Sequence, residues 1–593
     1  MAKIIAARYD GFGERMLAFL NAIYISKNTN LEFCYKWPYQ EYSGKIFEST
    51  NCSNKVVVNP YNDIVDENNF FSKKFIKKYS IELKESFFDG SLLFSKNNRL
   101  KLQDIYKYPK ECLLGYFSTQ YDLSQICNDV NSSEYYEDIK NIWDNLDLVN
   151  NFKLIKEQVA NMEIVKNGFT ALHIRMGDAI YYDNGNNAFF AKKKNFPIHL
   201  AVEIIKEEIS KNQLIVIFSD DYETSVIVKD FVEDLMSIRG KILVIRDYIS
   251  KLQLNHFESS FFEIELMRYA SKIYGSGRSG FSNLAFRISG GKSEFISIHD
   301  YFTDNQKYNI FMKYINQLEI HPYAKAFSYL HLYIIANNLM LDISIQKRMI
   351  ENAIMLVNNT RSYVYYFIYM YLLLQEEKYF EVETYIKEKC TTDRDYFFSY
   401  LFQIDGYDNT LLYSFLFFEF LKIQDIIKYP FICFILCKLF DVIKIHKLKC
   451  DINDKLYLER LNTIVNFLNT FSECNVNFNY STGAVYRVEN QLSYKIGKIL
   501  INTKDIKSIL KAPIEIIMSV LEHKRKSKIY QTLVNIDKKY AMPPLESYSD
   551  FHEALRLKEH LTYKLGKSFL DNPYVFIFKV KKIYKEWKNN KGV

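Results

Sequence analysis

The stretch 170-TALHIRMGDAI-180 joins an apolar run to a group of charged residues and a glycine. Residues 169–174 have the composition of a buried β-strand, and His173 and Arg175 lie two residues apart, so their side chains share one face. Met-Gly-Asp then lets the chain turn and adds the carboxylate of Asp178. An arginine at a strand end can present its planar guanidinium to a phosphate, whereas a surface salt bridge is the ordinary alternative. The stretch therefore predicts a strand that ends in a binding loop.

Strands and helices alternate through residues 165–300, which indicates βαβ units around a parallel sheet. The predicted strands are Phe169–Ile174, Gln213–Ser219, Lys241–Val244, Lys272–Gly275 and Ser293–Ile298. The predicted helices are Pro197–Ser210, Tyr222–Ser237, Ser260–Ala270 and Ser282–Ser289. We expect this region to form one complete Rossmann-like domain.

The chain on either side of this region has a different pattern. Residues 1–150 begin with a short strand, a glycine-rich turn and a helix, which predicts a smaller α/β domain. After about residue 305, glycine and proline become sparse and the apolar period becomes helical. The predicted fold is therefore two α/β domains, 1–150 and 151–305, followed by an all-α helical array at 306–593.

The composition is that of an ordinary globular protein. The chain has 593 residues, of which 48% are apolar and 25% charged, enough for roughly two to four domains. The 77 Lys and Arg nearly balance the 70 Asp and Glu, so charge gives no indication of nucleic-acid binding. Nine scattered cysteines without a zinc pattern are typical of reduced cytoplasmic thiols. The N-terminus has the pattern of a strand rather than a signal peptide, and no apolar run is long enough to span a bilayer.

Two features of the helical half carry further predictions. The stretch 490-NQLSYKIGKILI-501 matches 559-EHLTYKLGKSFL-570, which predicts a duplicated helical element. The end of the chain, 574-YVFIFKVKKIYKEWKNNK-591, is basic and amphipathic. It is either a solvated terminal helix or a surface that docks on an anionic membrane.

Three further stretches place polar residues between a strand and a helix, where a parallel sheet binds its ligands. The first, 10-DGFGER-15, can bring backbone N–H groups near an anion or can be a structural glycine turn. The second, 215-IVIFSDD-221, ends in Asp220 and Asp221, one of which can cap the following helix. The third, 275-GSGRSGFSNLAFR-287, combines small residues, hydroxyls and a helix start, which suit a diphosphate or a plain turn.

Taken in order, HIRMGD, FSDD and SGFS, with an N-terminal Gly-x-Gly-x-Arg, resemble the motifs of the fucosyltransferase superfamily. This superfamily includes bacterial α-1,2- and α-1,6-fucosyltransferases and protein O-fucosyltransferases, and the resemblance covers about residues 1–300. The helical remainder is similar to the long tails of bacterial capsule and lipooligosaccharide sugar transferases. The resemblance implies two facing Rossmann-like domains of GT-B type, a GDP-sugar donor, inversion at the anomeric carbon, and no required metal or other cofactor.

The resemblance also implies roles for individual residues. Arg175 would pair with the β-phosphate of GDP and stabilise the leaving group, because a cation there neutralises developing charge. His173 would line the same pocket, and Asp221 or Asp220 would face the guanosine. The remaining residues would hold the diphosphate or form the opposite wall of the cleft: Ser279, Phe281, Ser282, Gly11, Gly13 and Arg15.

The motifs leave the general base open. Asp178 and Asp183 are the candidates, because both follow the strand end closely, although Asp178 can instead hold the loop. The chain departs from the superfamily where Gly-Glu-Arg at 13–15 replaces the common Gly-Asn-Gln or Gly-Asn-Arg, and in the smaller residues Gly280 and Asn283. These departures bear on the sugar more than on the nucleotide, so fucose, a heptose and a deoxyheptose all remain open.

We therefore predict a glycosyltransferase that moves a sugar from a GDP-sugar onto a bacterial surface polysaccharide such as capsule. It would work in the cytoplasm with peripheral contact at the inner membrane, and without nucleic acid as a partner. Two alternatives remain. One is a transferase that adds a phosphoryl-type (phosphoramidate) modification to the same polymer, and the other is a non-catalytic helical-array interaction protein.

Overall fold

A computed structural model describes residues 2–38, 64–83, 91–96, 99–181, 194–357, 362–405, 410–446, 484–503, 506–536, 544–547 and 551–589. The chain divides into two compact units, Met1–Tyr369 and Met370–Val593. Both parallel sheets belong to the first unit. Within the described residues, no helix is both long enough and apolar enough to cross a membrane.

A small parallel sheet opens the first unit. Its three strands are β1 (Lys3–Ala6), β2 (Glu32–Tyr35) and β3 (Gly115–Phe117), in the order β2-β1-β3. All of its pairings are parallel. Helix α1 (Phe12–Asn28) joins β1 to β2 and is buried along most of its length. The N-terminal α/β pattern predicted from the sequence is therefore present, with three strands in the part of this region that the structure describes.

A larger parallel sheet contains the strand at the start of TALHIRMGDAI. Its five strands are β4 (Thr170–Ile174), β5 (Ile215–Ser219), β6 (Ile242–Val244), β7 (Lys272–Gly275) and β8 (Glu294–Ser297). Their order is β6-β5-β4-β7-β8, and every pairing is parallel. This is the doubly wound order of a Rossmann-type sheet. Successive strands are added on one side of β4 up to β6 and on its other side from β7 onward, so the strand order reverses between β4 and β7. A ligand is expected at that reversal, beyond the carboxyl ends of the strands.

The helices of the first unit lie between the strands and after them. They are α1 (Phe12–Asn28), α2 (Lys73–Tyr79), α3 (Leu92–Lys96), α4 (Leu123–Ile126), α5 (Ser132–Asp144), α6 (Asn150–Ala160), α7 (Glu163–Asn167), α8 (Gly177–Tyr181), α9 (Ile198–Ser210), α10 (Tyr222–Met236), α11 (Ile245–Ile249), α12 (His256–Met267), α13 (Gly280–Ile288), α14 (Ile298–Tyr301), α15 (Asp304–Tyr314), α16 (Pro322–Asn338) and α17 (Ile343–Leu356). Helix α18 (Tyr363–Gln375) contains the division between the units.

In its described residues, the second unit is helical apart from one short hairpin, β9 (Ile404–Asp405) and β10 (Thr410–Leu411). Its helices are α19 (Tyr379–Thr392), α20 (Arg394–Leu401), α21 (Ser414–Lys422), α22 (Pro430–His446), α23 (Ala484–Glu489), α24 (Leu492–Asn502), α25 (Ile506–Ile536), α26 (Phe551–Glu559), α27 (Leu561–Asp571) and α28 (Pro573–Asn589). The helical pattern predicted for this half of the chain is therefore present.

One apolar core serves both sheets. It contains residues of α1, of the segment around Phe70 and of α12, together with β4 and β5. The ring of Phe12 lies 4.8 Å from that of Phe257 in α12 and 5.6 Å from that of Phe70. Aromatic contacts of this kind add to the stabilisation from burial alone. The shared core explains why the two sheets form one compact unit.

The boundary expected near residue 305 lies inside the first unit. Helix α15 buries Phe311 and Tyr314, and the Phe311 ring lies 5.0 Å from that of His199 in α9. The first helices after the α/β region therefore pack against it, and the division of the chain falls near residue 369. Helix α12 also begins earlier than predicted, at His256, because Asn255 and Glu258 form a capping box.

Candidate functional site

The carboxyl edge of the five-stranded sheet collects charged and polar residues from four neighbouring strands. Arg175 follows β4, Asp220 follows β5 and Arg246 lies just after β6. The loop after β7 contains Ser276 and Ser279. Because parallel strands end at the same edge, their order across the sheet places Asp220 between the two arginines.

Arg175 and Asp220 form an ion pair across β4 and β5. The other Asp220 oxygen accepts a hydrogen bond from the backbone N–H of Met176 at 2.8 Å. A β-carbon on Gly177 would lie 2.8 Å from the carboxyl carbon of Asp220, so a larger residue there would displace this carboxylate. About a third of the Arg175 side chain remains exposed. Asp220 therefore orients Arg175 and the turn after β4, which is a different role from facing the guanosine.

Asp221 is the N-cap of α10. One of its carboxylate oxygens accepts from the Thr224 backbone N–H at 3.1 Å, and the other accepts from the Thr224 hydroxyl at 2.7 Å. The Tyr181 hydroxyl donates to the same carboxylate at 2.5 Å, and burial is the main cause that raises the pKa of Tyr181. Because both oxygens are engaged inside the protein, this geometry does not support the expected contact of Asp221 with guanosine. The alternative interpretation of FSDD as a helix cap applies to Asp221.

His173 lies under the site as a neutral, buried ring. It stacks on Phe281 with 5.3 Å between the ring centres and 21° between their planes. Burial lowers its pKa to about 4, with a further contribution from the positive charge of Arg175 against the opposing effect of Asp220. Its Nδ1 is buried and has no hydrogen-bond partner within the described part of the chain. Buried polar atoms are almost always paired, so this nitrogen is suited to a ligand.

The loop between β7 and α13 brings hydroxyls and a helix N-terminus to the same edge. Gly277 has a φ of +77°, which glycine adopts without strain. The Ser276 hydroxyl is buried without a partner among the described residues, and Ser279 precedes α13 without a capping side-chain bond. Arg278 is exposed at the tip of the loop. The first N–H groups of α13 and these hydroxyls suit an anion.

Ser282 has a different position from the other predicted loop residues. It is fully buried, and its hydroxyl donates to the Ser279 carbonyl at 3.5 Å. A β-carbon on Gly275 would lie 3.0 Å from this hydroxyl, so Ser282 packs back against β7. The structure therefore gives Ser282 a packing role inside the loop, and its contact with a diphosphate stays a prediction.

The two glycine-rich turns meet at the N-termini of α1 and α13. A β-carbon on Gly13 would lie 2.5 Å from the backbone nitrogen of Phe281, and one on Gly280 would lie 2.6 Å from the backbone nitrogen of Glu14. Gly11 is the N-cap residue of α1, without a side-chain cap. The structure therefore brings DGFGER and SGRSGFS together through direct contact of their backbones.

Arg15 is tied to the backbone beside β1 and β2. Its guanidinium donates to the carbonyls of Pro38 at 2.7 Å and Tyr9 at 2.9 Å, and it lies 4.8 Å from the centre of the Trp37 ring. Burial lowers its pKa to about 10. These hydrogen bonds hold the chain around β1 and β2, and the role of Arg15 in donor binding stays a prediction.

Glu14 is a site residue that the sequence motifs did not single out. Its side chain lies against the backbone of Gly280, where α1 meets α13. Burial raises the pKa of Glu14, and the negative charge of Asp10 raises it further, against the opposing effects of Arg8 and other cations. The sequence offered one indication of this residue, namely the glutamate at position 14 where the resembling motif commonly has asparagine.

Arg246 is a second residue that lies outside the motifs. It forms an ion pair with Glu263 of α12 at 3.3 Å, and burial raises the pKa of Glu263 to about 7. The negative charge of Asp220 raises this pKa too, while Arg246 lowers it. Arg246 follows β6 much as Arg175 follows β4, so the strand–loop pattern alone could have identified it.

The two predicted base candidates, Asp178 and Asp183, follow β4 in the chain. Asp178 is the second residue of α8 and comes directly after the turn that Asp220 holds. Asp183 lies outside the described residues. Among the residues that the structure describes, no three His, Cys, Asp or Glu are grouped as metal ligands.

A cavity of about 1370 Å³ is present in the second unit, between α19, α20, α22 and α25. Its walls contain charges of both signs: Lys387, Arg394, Lys428, Lys528, Glu383, Asp393 and Asp395. Glu383 accepts hydrogen bonds from the first N–H groups of α22, at 2.9 and 3.0 Å. None of the predicted site residues lines this cavity.

Comparison with known proteins finds one family model and several solved structures. A family model described as a domain of unknown function (DUF8374) matches residues 423–589. The search of curated proteins finds no match. The chain is similar to the crystal structure of the fucosyltransferase NodZ from Bradyrhizobium, with 14% identity and a TM-score of 0.28, over 51% of this chain and 97% of that chain.

The chain is also similar to POFUT1 in complex with GDP-fucose, with 11% identity and a TM-score of 0.27, over 50% of this chain and 98% of that chain.

Proposed function

We propose that the chain is an inverting glycosyltransferase that takes a sugar from a GDP-sugar donor. The observation that carries this proposal is the position of Arg175, held by Asp220, at the same carboxyl edge as the N-terminus of α13, where Ser279 makes no capping side-chain bond. A fixed cation and a helix N-terminus at the reversal point of a parallel sheet suit a nucleoside diphosphate. GDP is the nucleotide that the motifs imply, and fucose, a heptose and a deoxyheptose are the sugars considered.

Arg175 is suited to stabilising the diphosphate as it leaves the sugar. When the bond between the anomeric carbon and the β-phosphate oxygen breaks, its electron pair stays on the diphosphate. Arg175 would neutralise that charge, helped by the helix N-terminus and the Ser276 and Ser279 hydroxyls. His173 Nδ1 and Ser276 Oγ, both buried without partners among the described residues, would gain hydrogen bonds from the bound donor.

The acceptor hydroxyl must lose a proton to a base in the same reaction. We propose Glu14 for this role, because its carboxylate lies where α1 meets the loop that would hold the diphosphate. Its raised pKa makes it a stronger base than an ordinary glutamate. Asp178 and Asp183 are the alternatives, since both follow β4 closely.

The acceptor is proposed to be a bacterial surface polysaccharide such as capsule, assembled in the cytoplasm at the inner membrane. The likeness of the helical half to the tails of capsule and lipooligosaccharide sugar transferases supports this acceptor. The basic helix α28 supports peripheral membrane contact, because lysines attract anionic lipid headgroups.

The decisive experiment uses the full-length protein and measures thermal stability with GDP, CDP and UDP, followed by hydrolysis of GDP-fucose and GDP-heptose. Stabilisation by GDP alone, with release of GDP from one of the sugars, is the expected result. Stabilisation by CDP instead would favour the phosphoryl-type transferase. Stabilisation by none of the three nucleotides would favour the interaction protein and overturn the proposal.

A further inference from the structure

The internal repeat forms a symmetric helix pair in the second unit. Helices α24 and α27 are in contact at equivalent positions of the two copies. A β-carbon on Gly497 would lie 2.6 Å from the Thr562 carbonyl carbon, and one on Gly566 would lie 2.6 Å from the Gly497 nitrogen. Gly566 in turn packs on the Ser493 carbonyl. Each copy therefore contacts the other through the same two positions, as in an interface between identical subunits.

The duplication extends beyond these two helices. The preceding helices, α23 and α26, pack on each other through the buried residues Ala484, Val488 and Ala554. The following helices, α25 and α28, come directly after α24 and α27 in the two copies. The second unit thus ends in two three-helix copies, α23–α25 and α26–α28, in which α25 is the counterpart of α28.

Helix α28 exposes large apolar side chains beside many lysines. Tyr574 is 90% exposed and Phe578 is 84% exposed. The segment 573–589 contains five Lys and one Glu. An exposed aromatic pair beside a lysine-rich surface is typical of helices that lie in the interface of an anionic membrane.

Helix α25 has the same combination of properties. Ile514, Ile517, Met518 and Leu521 are between 48% and 65% exposed. Their spacing of three and four residues places them on one side of the helix. The segment 506–536 contains six Lys or Arg and two Glu. If α28 alone contacted the membrane, its counterpart α25 would not need an exposed apolar stripe and a similar excess of cations.

We infer that the duplicated module docks on an anionic lipid surface through both α25 and α28. This inference deepens the proposed membrane contact and is independent of the transfer chemistry. Charge decides the occupant: an anionic membrane complements both helices, whereas a second copy of the chain would bring two positive surfaces together. Two weak membrane signals in one module combine into a stable attachment, which a single one does not provide.

The test measures co-sedimentation of the full-length protein with vesicles of phosphatidylcholine, with and without phosphatidylglycerol. One variant changes α25 (Ile517→Gln with Met518→Gln), and one changes α28 (Tyr574→Gln with Phe578→Gln). A matched control changes two exposed methionines of the first unit, Met340→Gln and Met355→Gln. We expect binding only to the anionic vesicles, a loss of about tenfold for either helix variant, and no change in the control.

Each outcome bears on a different claim. Binding that falls with the α28 change but is unaffected by the α25 change would overturn this inference and leave the contact through α28 in place. Absence of wild-type binding to anionic vesicles would overturn both. A dimer in solution that the α25 or α28 changes dissociate, without wild-type vesicle binding, would show that the occupant is a second copy. GDP-sugar hydrolysis, measured in parallel, reports on the transfer reaction separately.

Discussion

Gly13 and Gly280 are in backbone contact, with no room for a side chain on either residue. A β-carbon on Gly13 would lie 2.5 Å from the Gly280 carbonyl oxygen. The contact joins the first turn of α1, which follows the small sheet, to the first turn of α13, which follows the large one. Two glycine motifs that are far apart in the sequence therefore lie in direct contact in the fold.

The substitution Gly13→Ala should destabilise the first unit. The added methyl group would overlap backbone atoms, which cannot move as a flexible side chain would, at a cost of about 2 kcal/mol. Urea unfolding measures the loss. Gly168→Ala is the control, because a β-carbon there meets nothing within 4 Å and only its φ of +77° is unfavourable, at about 1 kcal/mol. Equal losses for both variants would contradict the contact.

The substitution Arg175→Ala should lower turnover by about 100-fold to 1000-fold, because the charge on the leaving diphosphate is no longer neutralised. Arg175→Lys should recover little of this activity, since an ammonium cannot reproduce the planar, two-pronged hydrogen bonds of a guanidinium. The measurement is the steady-state release of GDP from the donor sugar. Arg239→Ala is the matched control, because Arg239 is an exposed arginine in an ion pair with Asp234. Near-normal turnover of Arg175→Ala would refute the leaving-group role.

The substitution Glu14→Gln should abolish sugar transfer while leaving GDP binding close to normal. The base must be deprotonated, so the wild-type rate should rise with pH through the raised pKa of Glu14, and this limb should disappear in the variant. The pH profile of transfer to acceptor measures this effect. Loss of GDP binding in the variant would instead indicate a structural role.

The pH dependence of stability offers a second test of Glu14. Because burial raises its pKa in the folded state, the folded protein binds this proton more tightly than the unfolded chain. The resulting stabilisation is present below the unfolded pKa and is lost as pH rises through the folded pKa. Glu14→Gln should therefore flatten the decline in the free energy of unfolding above about pH 4.5. An unchanged profile would mean that Glu14 has an ordinary pKa.

The substitution Asp221→Ala should reduce stability and leave donor affinity nearly unchanged. It removes the cap of α10 and leaves the Tyr181 and Thr224 hydroxyls without their acceptor, at a cost of about 2 kcal/mol. Urea unfolding and the dissociation constant for GDP measure the two effects. Asp234→Ala, at an exposed position of the same helix, serves as the control. A loss of GDP affinity in this variant and not in the control would show that Asp221 contacts the guanosine.

Local sequence patterns were sufficient to locate the elements of the α/β region. The five strands of the large sheet occur at the predicted places, because apolar runs bounded by turn residues specify buried parallel strands without help from distant residues. The four loop motifs were identified in the same way. Position along the chain could not show which side chains of those loops face the ligand, because that depends on neighbours from other strands.

The sequence by itself determined that Arg175, FSDD and the serine loop follow strands of one parallel sheet, since strand pattern and loop composition are local properties. Only the tertiary structure decided that Asp220 holds Arg175, that Asp221 caps α10, and that Arg15 donates to the carbonyls of Tyr9 and Pro38. It also showed that Gly13 and Gly280 touch and that the repeated helices pack on each other. The physical reason is that hydrogen bonds and close contacts join residues far apart in the chain, and their choice of partner is fixed only when the core is packed.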